Sequence, residues 1–233
     1  MSTLQKKIDP KPRLADATVV IAYNNPVRPS DHLAFLYRVY SRYFNHIVFS
    51  VPSAVGLSQA DLDLYPIHTC DGDLDGFYMH HCLAQIMEKQ PVNDGLGNLL
   101  LPDDGLIDRR GLETYDLDQL WSNEIKAVHI ADVEANGAVD QWLGKHVFEP
   151  RYGSKRNIGI NAFKAARAEL SGADRALLPK GKLFNGWADF VYIPARYRQA
   201  FIRFSAPFFK YSLFNEFALP TIIHMRTASS SHF

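Results

Sequence analysis

Asp16 to Tyr23, DATVVIAY, is short, rich in β-branched residues and stopped by the turn formers Asn24-Asn25-Pro26, which marks it as a buried strand. From Ser30 the sequence SDHLAFLYRVYSRYF supplies an N-cap and then apolar residues at Leu33, Leu36, Tyr37, Val39, Tyr40 and Tyr43, the spacing of an amphipathic helix. HIVFSV at 46–51, closed by Pro52, is a second strand. Strand, helix, strand in that order predicts a parallel pair joined by a right-handed crossover.

The alternation continues along the chain. Residues 64–70 predict a short third strand, 77–89 a second helix, and 96–101 a fourth strand that runs into Pro102-Asp103-Asp104-Gly105. Short elements at 117–121 and 125–130, a helix at 157–170, a loop at 174–182 and a strand at 189–193 follow. An aromatic-rich helix over 197–214, broken at Pro207 and continued by 216–219, precedes an apolar, strand-like stretch at 221–225. The expectation is an α/β fold: one Rossmann-like α/β/α sandwich with a mostly parallel sheet over 16–226, an N-terminal extension at 1–15 and a frayed tail at 227–233.

Composition narrows the function classes. With 25 basic and 25 acidic side chains and 47% hydrophobic residues among 233, the chain is neither a basic nucleic-acid binder nor an acidic disordered tail. Charge is nevertheless sorted: residues 61–140 hold 17 acids against 4 bases, and 151–210 hold 12 bases against 3 acids. Two readings fit this, a pair of solvated faces that attract each other or a cleft with an acidic and a basic wall. Cys70 and Cys82 are too few for a disulfide framework and make a poor zinc site, which leaves the compartment open. MSTLQKKIDPKPR lacks an apolar core, and no run of about 18 apolar residues occurs. A soluble chain without signal peptide or membrane span is expected, cytoplasmic or the soluble domain of a longer Golgi protein.

In parallel α/β sheets ligands collect beyond the carboxyl ends of the strands. Three polar clusters are expected there: Asn24-Asn25 after the first strand, Asp71 and Asp73 after the third, and Asp103-Asp104 after the fourth. Adjacent carboxylates at a strand end repel each other unless backbone donors or a divalent cation compensate. Pro-Asp-Asp-Gly is equally a plain turn sequence, so both readings stand. His80-His81-Cys82 lies on a helix where neighbours diverge by about 100°, so no convergent ligand pair forms there.

VVIAYNN, then IVFSVP, then FYMHHCLAQIME, then GNLLLPDDGLI resembles the nucleotide-binding half of GT-A glycosyltransferases, with Asp103-Asp104 in the place of their DxD metal motif. Phe77 to Trp121, NGWADFVYIPARY and NEFALPTIIHM are similar to the STELLO-like family, whose members carry a GT-A-like domain. The resemblance spans most of 17–225. It departs from the pattern in two respects: the acidic pair has no spacer, and no Gly-rich phosphate loop is present.

The resemblance implies a sugar transferred from a nucleoside diphosphate, a UDP-sugar before others, to a glycan or other acceptor hydroxyl. Tyr23, Asn24 and Asn25 would meet the nucleoside, with Asp71 and Asp73 nearby. Asp103 and Asp104 would hold Mn²⁺ or Mg²⁺, with His224 a further ligand. Trp187 and Asp189 would take the sugar, an aromatic face for its apolar side and a carboxylate for its hydroxyls. Glu216 would serve as base, and Lys182, Arg196 and Arg198 would face phosphates. A buried Tyr23, a core Trp187, a core His224 and a Glu216 paired to Lys210 or Arg226 are the structural alternatives. In function the alternative is a catalytically silent GT-A-like module that binds partners or organises other transferases.

Overall fold

The computed structural model describes residues 14–23, 30–70, 78–90, 96–112, 114–131 and 156–230. Its centre is a six-stranded sheet of β1 (Thr18–Ala22), β2 (His46–Val51), β3 (Ile67–Thr69), β4 (Gly97–Pro102), β5 (Trp121–Ser122) and β8 (Val191–Pro194). The order is β3-β2-β1-β4-β8-β5; the first four are parallel, and β8 runs against both its neighbours. The expected α/β class with a mostly parallel sheet is therefore present.

Every residue of β1 is buried, as befits a central strand covered on both faces. Alternate side chains feed two cores. Val19, Ile21, Phe49, Leu99 and Tyr192 pack with Leu33, Leu36 and Tyr40 of α1 (Ser30–Tyr40) on one face. Val20, Ala22, Leu100 and Val191 pack on the other with α3 (Met79–Lys89), α5 (Arg156–Glu169), α7 (Arg198–Lys210) and α8 (Asn215–Ser230). Short helices α2 (Gln59–Leu64), α4 (Arg109–Leu112) and α6 (Gly172–Ala176) lie between strands and longer helices in the chain. Leu14 is also buried, so the core begins inside the expected extension.

A second, two-stranded antiparallel sheet joins β6 (Ile125–His129) to β7 (Lys182–Gly186) and packs against α8. Close approach here requires glycine. A Cβ on Gly186 would lie 2.5 Å from the Glu124 carbonyl oxygen, and one on Gly97 2.4 Å from that of Ile193.

The structure departs from expectation in identifiable places. The third strand shrinks to Ile67–Thr69 because α2 precedes it, held by a capping box between Ser58 and Asp61. Part of the expected loop at 174–182 is helical, capped by Ser171. The stretch 221–225 is the middle of α8, not a strand, and Pro207 and Pro220 lie inside helices. Helix α8 extends to Ser230, through part of the tail expected to fray. Cys70 and Cys82 form a disulfide that ties the end of β3 to the first turn of α3. Arg196 to Asp118, at 3.5 Å, is the one ion pair among the described residues that links the acidic and basic stretches.

Candidate active site

Strands β1 and β4 finish together, Ala22 opposite Pro102, and the Asp103 N–H donates to the Ala22 carbonyl at 3.0 Å. The chain then turns, with the Gly105 N–H donating to Pro102 O at 3.3 Å and the Tyr40 hydroxyl donating to Gly105 O at 3.0 Å. Pro102-Asp103-Asp104-Gly105 is thus a turn, pinned to α1, and it leaves Asp103 half-buried and Asp104 exposed at the carboxyl edge of the sheet.

Two distant carboxylates join Asp104. Asp189 lies in the connection from β7 to β8, not at a strand start, and is half-buried. Burial, and then the charge of Asp104, raises its carboxyl pKa above the ordinary range. Glu216 sits in the first turn of α8, where its Oε2 is shut away from solvent without a hydrogen-bond partner. Burial pushes its carboxyl up to about 8, its own backbone N–H works the other way, and the charge of Asp189 adds to the rise. Asp189 thus links the three, feeling the charge of Asp104 and in turn acting on Glu216, and Glu216 carries a proton at neutral pH. Lys210 is not its partner, being paired with Glu169.

Trp187, next to Asp189, is 53% exposed, so the core alternative does not hold for it. Tyr23 is the reverse: at 2% exposure its ring lies edge-on to His32 and tilted against Phe49, leaving no open face for a base to stack on. Its hydroxyl meets His32 Nδ1 at 3.2 Å. His32 is half-buried in the first turn of α1, past the end of β1, a position to which its place two residues after Ser30 was the available pointer. Asn24, Asn25, Asp71 and Asp73 lie outside the described residues.

The remaining candidates sit elsewhere. Lys182 opens β7, at the far end of that strand from Trp187. His224 stacks on Phe184 at 3.8 Å, and burial followed by the charge of Lys182 lowers its pKa. It lies two helical turns beyond Glu216, about 12 Å along α8. Asp103, Asp104 and His224 do not make a ligand set: among the described residues no three His, Cys, Asp or Glu side chains gather to hold a metal ion. Arg198 is buried and donates to the carbonyls of Met87 and Gln90, so it braces the end of α3 and does not face a phosphate. Arg196 is exposed, over the Tyr197 ring.

His80 is fully buried, and burial followed by the charge of His81 lowers its pKa to about 3. His81 stacks on Phe209 at 3.5 Å. Both are packing residues, as their helical spacing predicts.

A cavity of about 490 Å³ opens at the opposite, amino end of the sheet, around Thr18, Tyr37, Ser41, His46, Pro66 and Gln90. Among the described residues no carboxylate lines it, and ligands of parallel α/β sheets collect at the carboxyl end, so the acidic group is the stronger catalytic candidate. Compared with known proteins, the chain matches no family model, no curated protein and no solved structure.

Proposed function

We propose that the chain is a metal-dependent glycosyltransferase on a GT-A-like domain, moving a sugar from a nucleoside diphosphate, a UDP-sugar before others, to an acceptor hydroxyl. One observation carries this reading: Asp189 is coupled both to Asp104, on the turn after β4, and to Glu216, so carboxylates from three distant segments are linked near the carboxyl edge of the sheet. An exposed Trp187 adjoining Asp189 supports it.

A divalent cation fits the charge of this group. Repelling carboxylates and an orphaned, buried Glu216 Oε2 are relieved by positive charge, and Mg²⁺ or Mn²⁺ takes one or two carboxylates with the rest of its shell from water and phosphate. Asp104, with Asp103, would hold it; when bound, such an ion offsets negative charge on a leaving diphosphate. Trp187 offers an apolar face to the sugar, and Asp189 accepts hydrogen bonds from its hydroxyls. Asp189 is also the base we assign to the acceptor hydroxyl, because Glu216 keeps its proton at neutral pH.

The same neutral Glu216 favours a second reading, a GT-A-like module that binds nucleotide or glycan without turnover. Thermal unfolding with UDP, with and without Mn²⁺, tests the first step. A rise that needs both, lost in Asp104→Asn, supports the nucleotide site; no rise refutes it. Transfer or hydrolysis across a panel of nucleotide sugars then separates turnover from binding alone.

A further inference from the structure

We infer that Asn215 is a positioning residue of the acidic group: from the start of α8 it caps α3, and that bond fixes where the Glu216 carboxyl lies. The inference rests on the reading of Asp104, Asp189 and Glu216 as the functional site. Helix α3 begins without a cap of its own. Its first N–H groups have no carbonyl partner within the helix, and the residue before it is Tyr78, whose side chain makes no capping bond where Ser, Thr, Asp or Asn would. The N–H of His80, second in the helix and one that a cap normally takes, donates instead to Asn215 Oδ1 at 3.0 Å, from a residue 135 positions further along the chain. Both residues are buried, where an N–H without an acceptor is costly.

Asn is a weak helix former that usually commits its side chain to capping its own helix. Here it is the first residue inside α8, after Phe214, whose carbonyl accepts from the Ala218 N–H at 2.9 Å, and its oxygen goes to α3. Helix α3 supplies a fixed reference, because it is held without Asn215: Ser205 Oγ of α7 donates to His80 O at 3.0 Å, His81 stacks on Phe209 at 3.5 Å, and the Cys70–Cys82 disulfide ties the same turn to β3. Glu216 follows Asn215 directly, about 1.5 Å along the helix axis, so what sets Asn215 sets the Glu216 backbone. That placement shuts Glu216 Oε2 away from solvent and within reach of the Asp189 charge. His80, on the α3 side, stays neutral, since burial and then the charge of His81 hold its pKa at about 3. Lys210 of α7 is taken by Glu169.

The test is a carboxyl-carbon NMR titration of Glu216 in the full chain and its variants. The Glu216 midpoint of about 8 should fall by roughly one pH unit or more in Asn215→Ala, as solvent reaches the carboxyl. Asn215→Asp keeps the acceptor and adds negative charge beside Glu216, so the midpoint should hold or rise. Ser205→Ala breaks the other side-chain bond to His80 and leaves α8 alone, so the midpoint should not move; general loosening of the core would shift it too. Asn215→Ser, whose shorter side chain draws the acceptor back from His80, should act like alanine and decides the matter should Asn215→Ala fail to fold. An unchanged midpoint in the alanine and serine variants, a fall in Asn215→Asp as large as alanine's, or an equal fall in Ser205→Ala overturns the inference. Failure of the underlying site shows separately, as a parent chain whose thermal midpoint ignores UDP with Mn²⁺, and the Glu216 titrations then still decide the role of Asn215.

Discussion

The charge of Asp104, on the turn after β4, reaches Asp189 on the connection into β8 and adds to the burial that raises its pKa. This coupling exists because β8 enters the sheet beside β4 and runs against it, which returns the chain from β7 to the carboxyl edge where β4 ends. Glu216 completes the group from the N-terminus of α8, where burial outweighs the favourable dipole of a helix start.

Removing the Asp104 charge should lower the pKa of Asp189 without returning it to the ordinary carboxylate range, since burial is the larger cause. Carboxyl-carbon NMR titration of Asp104→Asn against the parent chain measures this. An unchanged Asp189 midpoint would show that the two groups do not interact.

Glu216→Gln should stabilise the protein at alkaline pH. The folded-state pKa of about 8 lies above the ordinary 4.5, so the benefit of a protonated Glu216 is full below pH 4.5 and is lost as pH rises through 8. The variant, always neutral, should gain on the parent chain across that window and hold a constant advantage above it, on the order of a few kcal/mol at about 1.4 kcal/mol per unit. Urea midpoints from pH 4 to 9 provide the comparison; parallel profiles would contradict a buried, protonated glutamate.

Gly97→Ala should destabilise by about 1–3 kcal/mol, because the new Cβ meets the Ile193 carbonyl and the Tyr192 ring where β4 lies against β8. Denaturant unfolding monitors it. Gly111→Ala, whose Cβ would meet nothing within 4 Å, is the control and should change stability far less.

Cys70 and Cys82 are 2% and 3% exposed and close a span of 12 residues. Peptide mapping without reductant should recover the linked pair. The double substitution to serine should cost about 3 kcal/mol and lower the thermal midpoint by several degrees. Full recovery of two free thiols from the oxidised, native protein would contradict the linkage.

Much of the sheet was legible in the chain. β1, β2 and β4 are compact β-branched or leucine runs closed by proline or turn formers, and the placement of Asp103-Asp104 at a strand end follows from reading β4 correctly. Thr221 to Met225 misled because that part of α8 is almost wholly buried, and a helix covered all round loses the 3.6-residue alternation that distinguishes it from a strand. Tyr23 was ambiguous for a related reason: an aromatic at a strand end is a ligand platform or a core residue according to what α1 lays over it, and here His32 does so.

Local sequence by itself determined which segments become strands and helices, and where an acidic turn follows a strand, because those choices rest on side-chain shape, periodicity and backbone preference over a few residues. The meeting of Asp104, Asp189 and Glu216, the burial that keeps a proton on Glu216, and the linkage of the two cysteines were decided by tertiary structure. They depend on which strand enters beside β4, in which direction, and which helix covers its end, and the free energy that selects this arrangement comes from burial of apolar surface spread over the whole chain.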